Sequence, residues 1–284
     1  MPESMEFHKY HGLGNDYLVY DPKNEDNPLK AKDIARICDR HYGLGSDGIL
    51  VGPYPSNKAD FFLKIYNPDG SEAEKSGNGL RIFSRYLFDN KIVTKDNFTV
   101  ETLGGIAQCV VDHTSVPSQV SVSMGTVSFL STDVPTTGPE REILGEPVDI
   151  EGVLHSIYAV SMGNPHCVVP INDPTPELTK TLGPLFEGHA MFPNKTNVQF
   201  LKILDKKNIQ IEIWERGAGY TFASGSSSCA AAAVAKKMGI CGDSVSVHMP
   251  GGVLQVEFDA AFQATLTGPV TYIGKLVLDK EALN

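Results

Sequence analysis

Two loops of this chain are built to one plan, and that duplication constrains the fold more than any bulk property does. The first runs Asn67-Pro-Asp-Gly-Ser-Glu-Ala-Glu-Lys-Ser76-Gly77-Asn78-Gly79 into the helix-forming segment Leu80 to Phe88. The second runs Glu215-Arg216-Gly-Ala-Gly-Tyr-Thr-Phe-Ala-Ser224-Gly225-Ser226-Ser227 into the helical segment Cys229 to Met238. An apolar, strand-like run precedes each loop (Ala59 to Tyr66; Asn208 to Trp214), and a Ser-Gly pair opens each helix. The first N–H groups of a helix have no partner within it, so two such termini facing each other would hold an anionic group.

A second landmark is doubled as well. Asn15 follows a Gly in the turn between strand-like Met5 to Tyr10 and Tyr17 to Tyr20, and Asn164 does the same between Ser156 to Val160 and Cys167 to Val169. Asn15 precedes Ser76 by 61 positions, and Asn164 precedes Ser224 by 60. Chance seldom sets two features in one order at nearly one spacing. The chain therefore reads as two halves of common design, 1–131 and 132–272, with 273–284 a tail free to return to the first half. The Pro- and Gly-bearing stretch Ser131 to Gly152 reads as the connection.

The remaining pattern is strand-rich. Ala31 to His41 reads as a helix and Gly43 to Pro53 as a turn into a strand. Strand character marks Phe98 to Glu101, Ile106 to Val111, Val120 to Met124, Asn197 to Ile203, Val245 to Met249, Val253 to Phe258 and Ala264 to Thr267. Many antiparallel-type strands with one main helix per half indicate an α+β fold.

Composition removes several function classes. A net charge of -10 without a basic cluster argues against nucleic acid or an anionic membrane as partner. No apolar run approaches the length of a membrane span, and Met-Pro-Glu-Ser-Met-Glu does not read as a signal peptide. Five cysteines without a C-x-x-C pair fit reduced thiols, so a cytoplasmic protein is expected, and a homodimer is compatible with it. The eight histidines lack metal-ligand spacing, so no metal is expected. Gly43-Leu-Gly45-Ser-Asp-Gly48 matches G-x-G-x-x-G, but it follows a helix and precedes a strand, the reverse of the dinucleotide context. No G-x-S-x-G elbow surrounds Ser76 or Ser224.

Both serines fit helix caps, which is what serine does best at such a position. Arg216 and Glu215 stand at the lip of a Gly-rich loop, where ligand-binding side chains tend to be presented. Asn15, Asn67, Asn164 and Asn197 lie at turns, and together with Arg216 and Glu215 they form a set able to grip a polar zwitterion.

The segments HGLGND, YGLGSDG, NPDGSEAEKSGNGLR, MGNPH and ERGAGYTFASGSSSCAAA, in order from Phe7 to about Met238, resemble those of the diaminopimelate epimerase family of cofactor-independent amino-acid epimerases. The resemblance implies two pseudo-symmetric halves, each a mainly antiparallel sheet wrapped around a central helix. It implies a small-molecule amino-acid substrate, no pyridoxal or other cofactor, and a two-base mechanism. In that mechanism one cysteine at each central-helix N-terminus works on a face of the substrate's α-carbon. It places Asn67, Asn197, Glu215 and Arg216 on the non-reacting head of a diamino-dicarboxylate, and Asn15 and Asn164 near the reacting centre. The N–H groups around Gly77, Asn78, Gly225 and Ser226 would hold the reacting carboxylate.

This chain departs from the pattern at the decisive place, because both family cysteines map onto serines, Ser76 and Ser224. A thiol titrates near about 8.5, whereas an alcohol holds its proton several pKa units more tightly. A helix dipole contributes at most about 2 kcal/mol, too little to close that gap. Three readings stand: a Cys-to-Ser form of a working epimerase, a natural relative whose serines act with another base such as His166, and a relative that binds without catalysing. Cys229, five positions into its helix, is expected to face the core. Gly48 stands where some family members carry glutamine, and Tyr220 where many carry glutamate.

Overall fold

The computed structural model describes residues 4–23 and 29–283. Contacts divide the chain into two compact units, Met1–Val122 with Thr267–Asn284, and Ser123–Leu266.

In the first unit, β1 (Ser4–Gly12) turns through Leu13 and Gly14, both at positive φ, into antiparallel β2 (Asn15–Tyr20). The helix α1 (Ala31–Cys38) then crosses over to β3 (Ile49–Tyr54), which lies parallel to β2. β4 (Phe61–Tyr66) returns antiparallel to β3 and pairs with the two-residue β5 (Glu72–Ala73). The helix α2 (Gly77–Asp89) crosses to β6 (Asn97–Thr102), parallel to β4, and β7 (Gly105–Asp112) and β8 (Ser118–Thr126) close a meander.

The second unit repeats this order. A hairpin of β9 (Leu144–Ile150) and β10 (Val153–Ser161) leads to antiparallel β11 (Pro165–Pro170). The helix α3 (Pro176–Glu187) crosses to β12 (Asn197–Ile203), parallel to β11, and β13 (Asn208–Glu215) returns antiparallel. Short β14 (Gly219–Thr221) pairs with β13, α4 (Gly225–Lys237) crosses to β15 (Ser244–Met249), parallel to β13, and β16 (Gly252–Phe258) follows. The last strand, β17 (Gln263–Asp279), begins in this unit. Its residues 271–279 pair antiparallel with β1, with Met5 opposite Leu278 and His11 opposite Thr271. Within each unit the pairings follow one sequence of antiparallel and parallel neighbours, with antiparallel pairs in the majority.

The central helices are buried on nearly every side, as a helix enclosed by sheet must be. Leu80, Arg81, Ile82, Phe83 and Ser84 of α2 are fully covered, and so is the run Cys229 to Ala235 of α4. Small residues suit α4, which packs against six strands of its unit. The crossover helices are ordinary amphipathic ones. Ile34 and Ile37 of α1 join Phe7, Leu18, Ile49 and Val51, while Phe186 of α3 joins Ile157, Cys167, Val198 and Phe200.

Several elements differ from the sequence reading. The first helix stops at Cys38, not His41, because the Asp39 carboxylate accepts the N–H groups of His41 and Tyr42 at 2.7 Å each and turns the chain. The stretch 131–152, read as connection, carries β9 despite Gly145 and Pro147. The helix α3 is absent from that reading because Gly183 and Pro184 interrupt its pattern. Gly183 is there for space: a Cβ would lie 2.6 Å from the Trp214 ring. Among the described residues no helix is long and apolar enough to cross a membrane.

Candidate functional site

In the first unit Ser76 is the N-cap of α2, with extended backbone, and its Oγ accepts the Gly79 N–H at 3.0 Å. The Tyr17 hydroxyl lies 3.3 Å from the same Oγ. Leu80 N–H returns to the Ser76 carbonyl at 2.8 Å, as helix geometry requires. That geometry leaves the N–H groups of Gly77 and Asn78 without intrahelical partners, available to an anion.

Asn15 is drawn to the same helix terminus. Its Oδ1 accepts from Asn78 Nδ2 at 2.9 Å, and its Nδ2 donates to Asp47 at 3.0 Å. Asn78 in turn accepts from the fully buried Arg81 at 2.6 Å, and Arg81 donates to the Pro269 carbonyl at 3.3 Å. Asp47 also takes the Asp16 N–H and an Arg40 bond, while Arg40 and Lys9 both hold Asp16. Burial pulls the Asp16 carboxyl upward, but the Arg40 and Lys9 bonds outweigh it and leave it below the usual range. Asn15 and Tyr17 are two apart on β2 and so share a face. They meet α2 at Asn78 and Ser76. Asn67 is instead tied into its own turn, its N–H and Nδ2 both donating to Ser71.

In the second unit Ser224 caps α4 by position only. Its backbone is extended and its carbonyl accepts from Ser228 N and Oγ, but its side chain makes no cap bond. The two serines are therefore not equivalent: Ser76 Oγ is engaged as a cap and Ser224 Oγ is not. Gly225 and Ser226 form the first turn of α4, as Gly77 and Asn78 do in α2.

Asn197, at the start of β12, ties two loops together. Its Nδ2 donates to the Pro165 carbonyl at 2.9 Å, and its Oδ1 accepts the Arg216 N–H at 3.0 Å. The Glu215–Gly219 turn is pinned from below by Glu187, which accepts from Trp214 Nε1 at 2.7 Å and from Gly217 N–H at 3.1 Å. Burial pulls the Glu187 carboxyl upward, but these bonds and the nearby Lys195 ammonium together outweigh it and leave it below its usual range. Arg216 projects outward, with one contact from Nη1 to the Asn194 carbonyl at 3.3 Å. Tyr220 donates to Glu212 at 2.7 Å, and burial raises that carboxyl.

Asn164 sits beside His166, Oδ1 to Nε2 2.9 Å. His166 is wholly buried, and burial first, with the Arg216 charge adding to it, pushes its pKa down to about 3 against the opposing pull of Gln199. Its Nδ1 and the Gln199 Oε1 make no hydrogen bond, while Gln199 Nε2 donates to Ser227 at 3.0 Å. Asn164 with His166, and Gln199 with Ser227, thus form two hydrogen-bonded pairs.

All five cysteines are buried thiols, Cys229 fully, and burial pushes Cys38, Cys109, Cys167 and Cys241 upward. The residues the sequence did not mark are Tyr17, Asp47, Arg81, Glu187 and Gln199, which support the marked ones through contacts distant in sequence.

Each unit thus carries a sheet with a buried central helix, and each of these helices opens on a Ser-Gly pair. Solved structures share this fold at low identity. A hydroxyproline epimerase from Agrobacterium vitis superposes with TM-score 0.70 at 14% identity, over 98% of this chain and 93% of that one. A phenazine biosynthesis protein of Bacillus anthracis gives 0.66 at 16%, over 98% and 99%. The sequence profile of the diaminopimelate epimerase family matches residues 7–130 and 158–273. Diaminopimelate epimerase 2 of Nostoc sp. strain PCC 7120 is 50% identical over 98% of this chain and 96% of its own length. A diaminopimelate epimerase of Pelotomaculum thermopropionicum is 41% identical over 93% and 95%. The chain belongs to the diaminopimelate epimerase family.

Proposed function

We propose that this chain binds diaminopimelate and interconverts its LL and meso forms by two-base proton transfer without a cofactor, at a rate held down by serine at both proton-transfer positions. The observation that carries the reading is identity to curated relatives of that name over nearly the whole chain, reaching 50%. Ser76 and Ser224 stand at the two acid–base positions. The N–H groups of Gly77, Asn78, Gly225 and Ser226 take the reacting carboxylate, where paired helix termini also stabilise charge as the α-proton leaves. Asn15 and Asn164 lie beside the reacting centre. Asn67, Asn197, Glu215 and Arg216 take the far amino-acid head, with Arg216 bidentate on its carboxylate and Glu215 on its ammonium. Cytoplasmic location, no nucleic-acid partner and a homodimeric assembly belong to this reading.

Titration with diaminopimelate, lysine, glutamate and histidine tests the substrate. Preference for diaminopimelate is expected, and preference for any of the other three replaces it with a racemase of another amino acid. A second reading is binding without catalysis, favoured by the engagement of Ser76 Oγ as a helix cap. Deuterium uptake at the α-carbon in heavy water separates the two.

A further inference from the structure

The Ser76 hydroxyl is placed between two groups of different character. The Gly79 N–H can only donate, so it occupies one lone pair of Oγ. The second neighbour, the Tyr17 hydroxyl at 3.3 Å, can donate or accept. Between a phenol and an alcohol, the phenol is the stronger acid and the alcohol oxygen the better acceptor, so Tyr17 donates. Both lone pairs of Ser76 Oγ are then taken, and its own proton points along the remaining tetrahedral direction, away from both donors.

The fold builds this contact deliberately into β2. Tyr17 is buried, on the face of β2 that also carries Asn15, and its ring lies where a side chain at Gly48 would be. A Cβ on Gly48 would stand 2.7 Å from Tyr17 Cε1. The absence of a side chain at 48 is what lets an aromatic ring reach the start of α2.

We infer that Tyr17 is the positioning residue of Ser76 and exchanges a proton with it, so that the two hydroxyls together do the work of one thiol. This rests on the proposed epimerase reading. In the protonating direction, the Ser76 O–H bond breaks and its proton forms the new Cα–H bond on the substrate carbanion. The Tyr17 O–H bond breaks in concert, its proton replacing the one Ser76 gave, and the electron pair remains on the phenolate. In the reverse direction the phenolate takes the Ser76 proton as Ser76 Oγ takes the α-proton. No electrons change hands and no co-reactant is needed. The advantage is in acidity: a phenol is an inherently stronger acid than an alcohol, which brings it nearer to a thiol. The phenolate end also avoids leaving an alkoxide at the helix terminus.

The test is α-proton exchange of diaminopimelate in heavy water, followed by loss of the α-proton resonance, with affinity measured in parallel. Tyr17→Phe keeps the ring that fills the space at Gly48 and removes only the hydroxyl. In the unmodified chain it should lower exchange by roughly tenfold or more, within the range of a lost acid–base partner. In a Ser76→Cys chain, where a thiol needs no relay, the same change should alter exchange less than about twofold. Equal losses in both backgrounds would assign Tyr17 a packing role and overturn the relay, as would no loss in the unmodified chain. Binding of diaminopimelate without any exchange in the unmodified chain overturns the relay alone. Failure to bind diaminopimelate overturns the substrate reading and the relay with it.

Discussion

The Tyr17 ring packs against the α-carbon of Gly48, so closely that a Cβ there would lie 2.7 Å from Cε1 and 2.5 Å from the Tyr66 carbonyl oxygen. Neither neighbour can yield easily, since one is backbone of β4 and the other a buried ring. Gly48→Ala should therefore destabilise the chain by about 1–3 kcal/mol, the usual cost of overpacking a filled core. Urea denaturation reads it directly, and a midpoint unchanged from the parent would show that the ring moves freely.

Asp47 sets Asn15. Its carboxylate accepts from Asn15 Nδ2 and from the Asp16 N–H, while Arg40 neutralises it. Asp47→Ala should leave the Asn15 amide unanchored and weaken diaminopimelate binding by a few-fold, in line with about 0.5–1.5 kcal/mol for a typical hydrogen bond. Asp47→Asn retains an acceptor and should lose less. Titration calorimetry on the two variants decides it, and equal affinities across parent and both variants would remove Asp47 from the site.

His166 makes stability depend on pH in a defined window. Burial holds it neutral in the folded chain down to about pH 3, whereas in the unfolded chain it titrates near about 6.5. Between those values the unfolded state binds a proton that the folded state refuses. Stability should therefore fall as pH drops below about 6.5, by up to about 1.4 kcal/mol per pH unit, with no contribution above it. Asp16 and Glu187 have lowered folded pKa values, so their contributions are present above the ordinary carboxylate range and are lost only as pH falls below about 4. Denaturation of the parent and of His166→Gln at pH 7.5, 6 and 5 should show a steeper decline in the parent. Parallel declines would contradict the buried neutral imidazole.

What was legible in the sequence was local. Ser76 and Ser224, with the glycines after them, announce helix starts within a few residues, and the spacing to Asn15 and Asn164 exposes the repeat. Tyr17 was read only as a strand residue, and Gly48 as a loop glycine where some family members carry glutamine, because their contact is made across strands. Asp47 and Arg81 reach partners 32 and 188 positions away, to Asn15 and Pro269, which no local pattern records. The helix α3 was hidden by Gly183 and Pro184. The repeat would have revealed it, since the spacing between Asn15 and Asn164 carries α1 onto that segment. The last strand reads as ending near Thr267 because Gly268, Pro269 and Gly274 look like turns, yet it continues to Asp279 by pairing with β1.

The central claim is that the family's ligand set survives around two positions that have lost their thiols. Restoring both, Ser76→Cys with Ser224→Cys, tests it most directly, with turnover of LL-diaminopimelate to the meso form as the readout. The double variant should exceed the unmodified chain by roughly a hundredfold or more, because each helix terminus then holds a group that titrates near neutrality. Either replacement alone should give far less turnover, since one face must lose a proton and the other gain one. A double variant that folds and binds diaminopimelate yet shows no epimerisation would contradict the account.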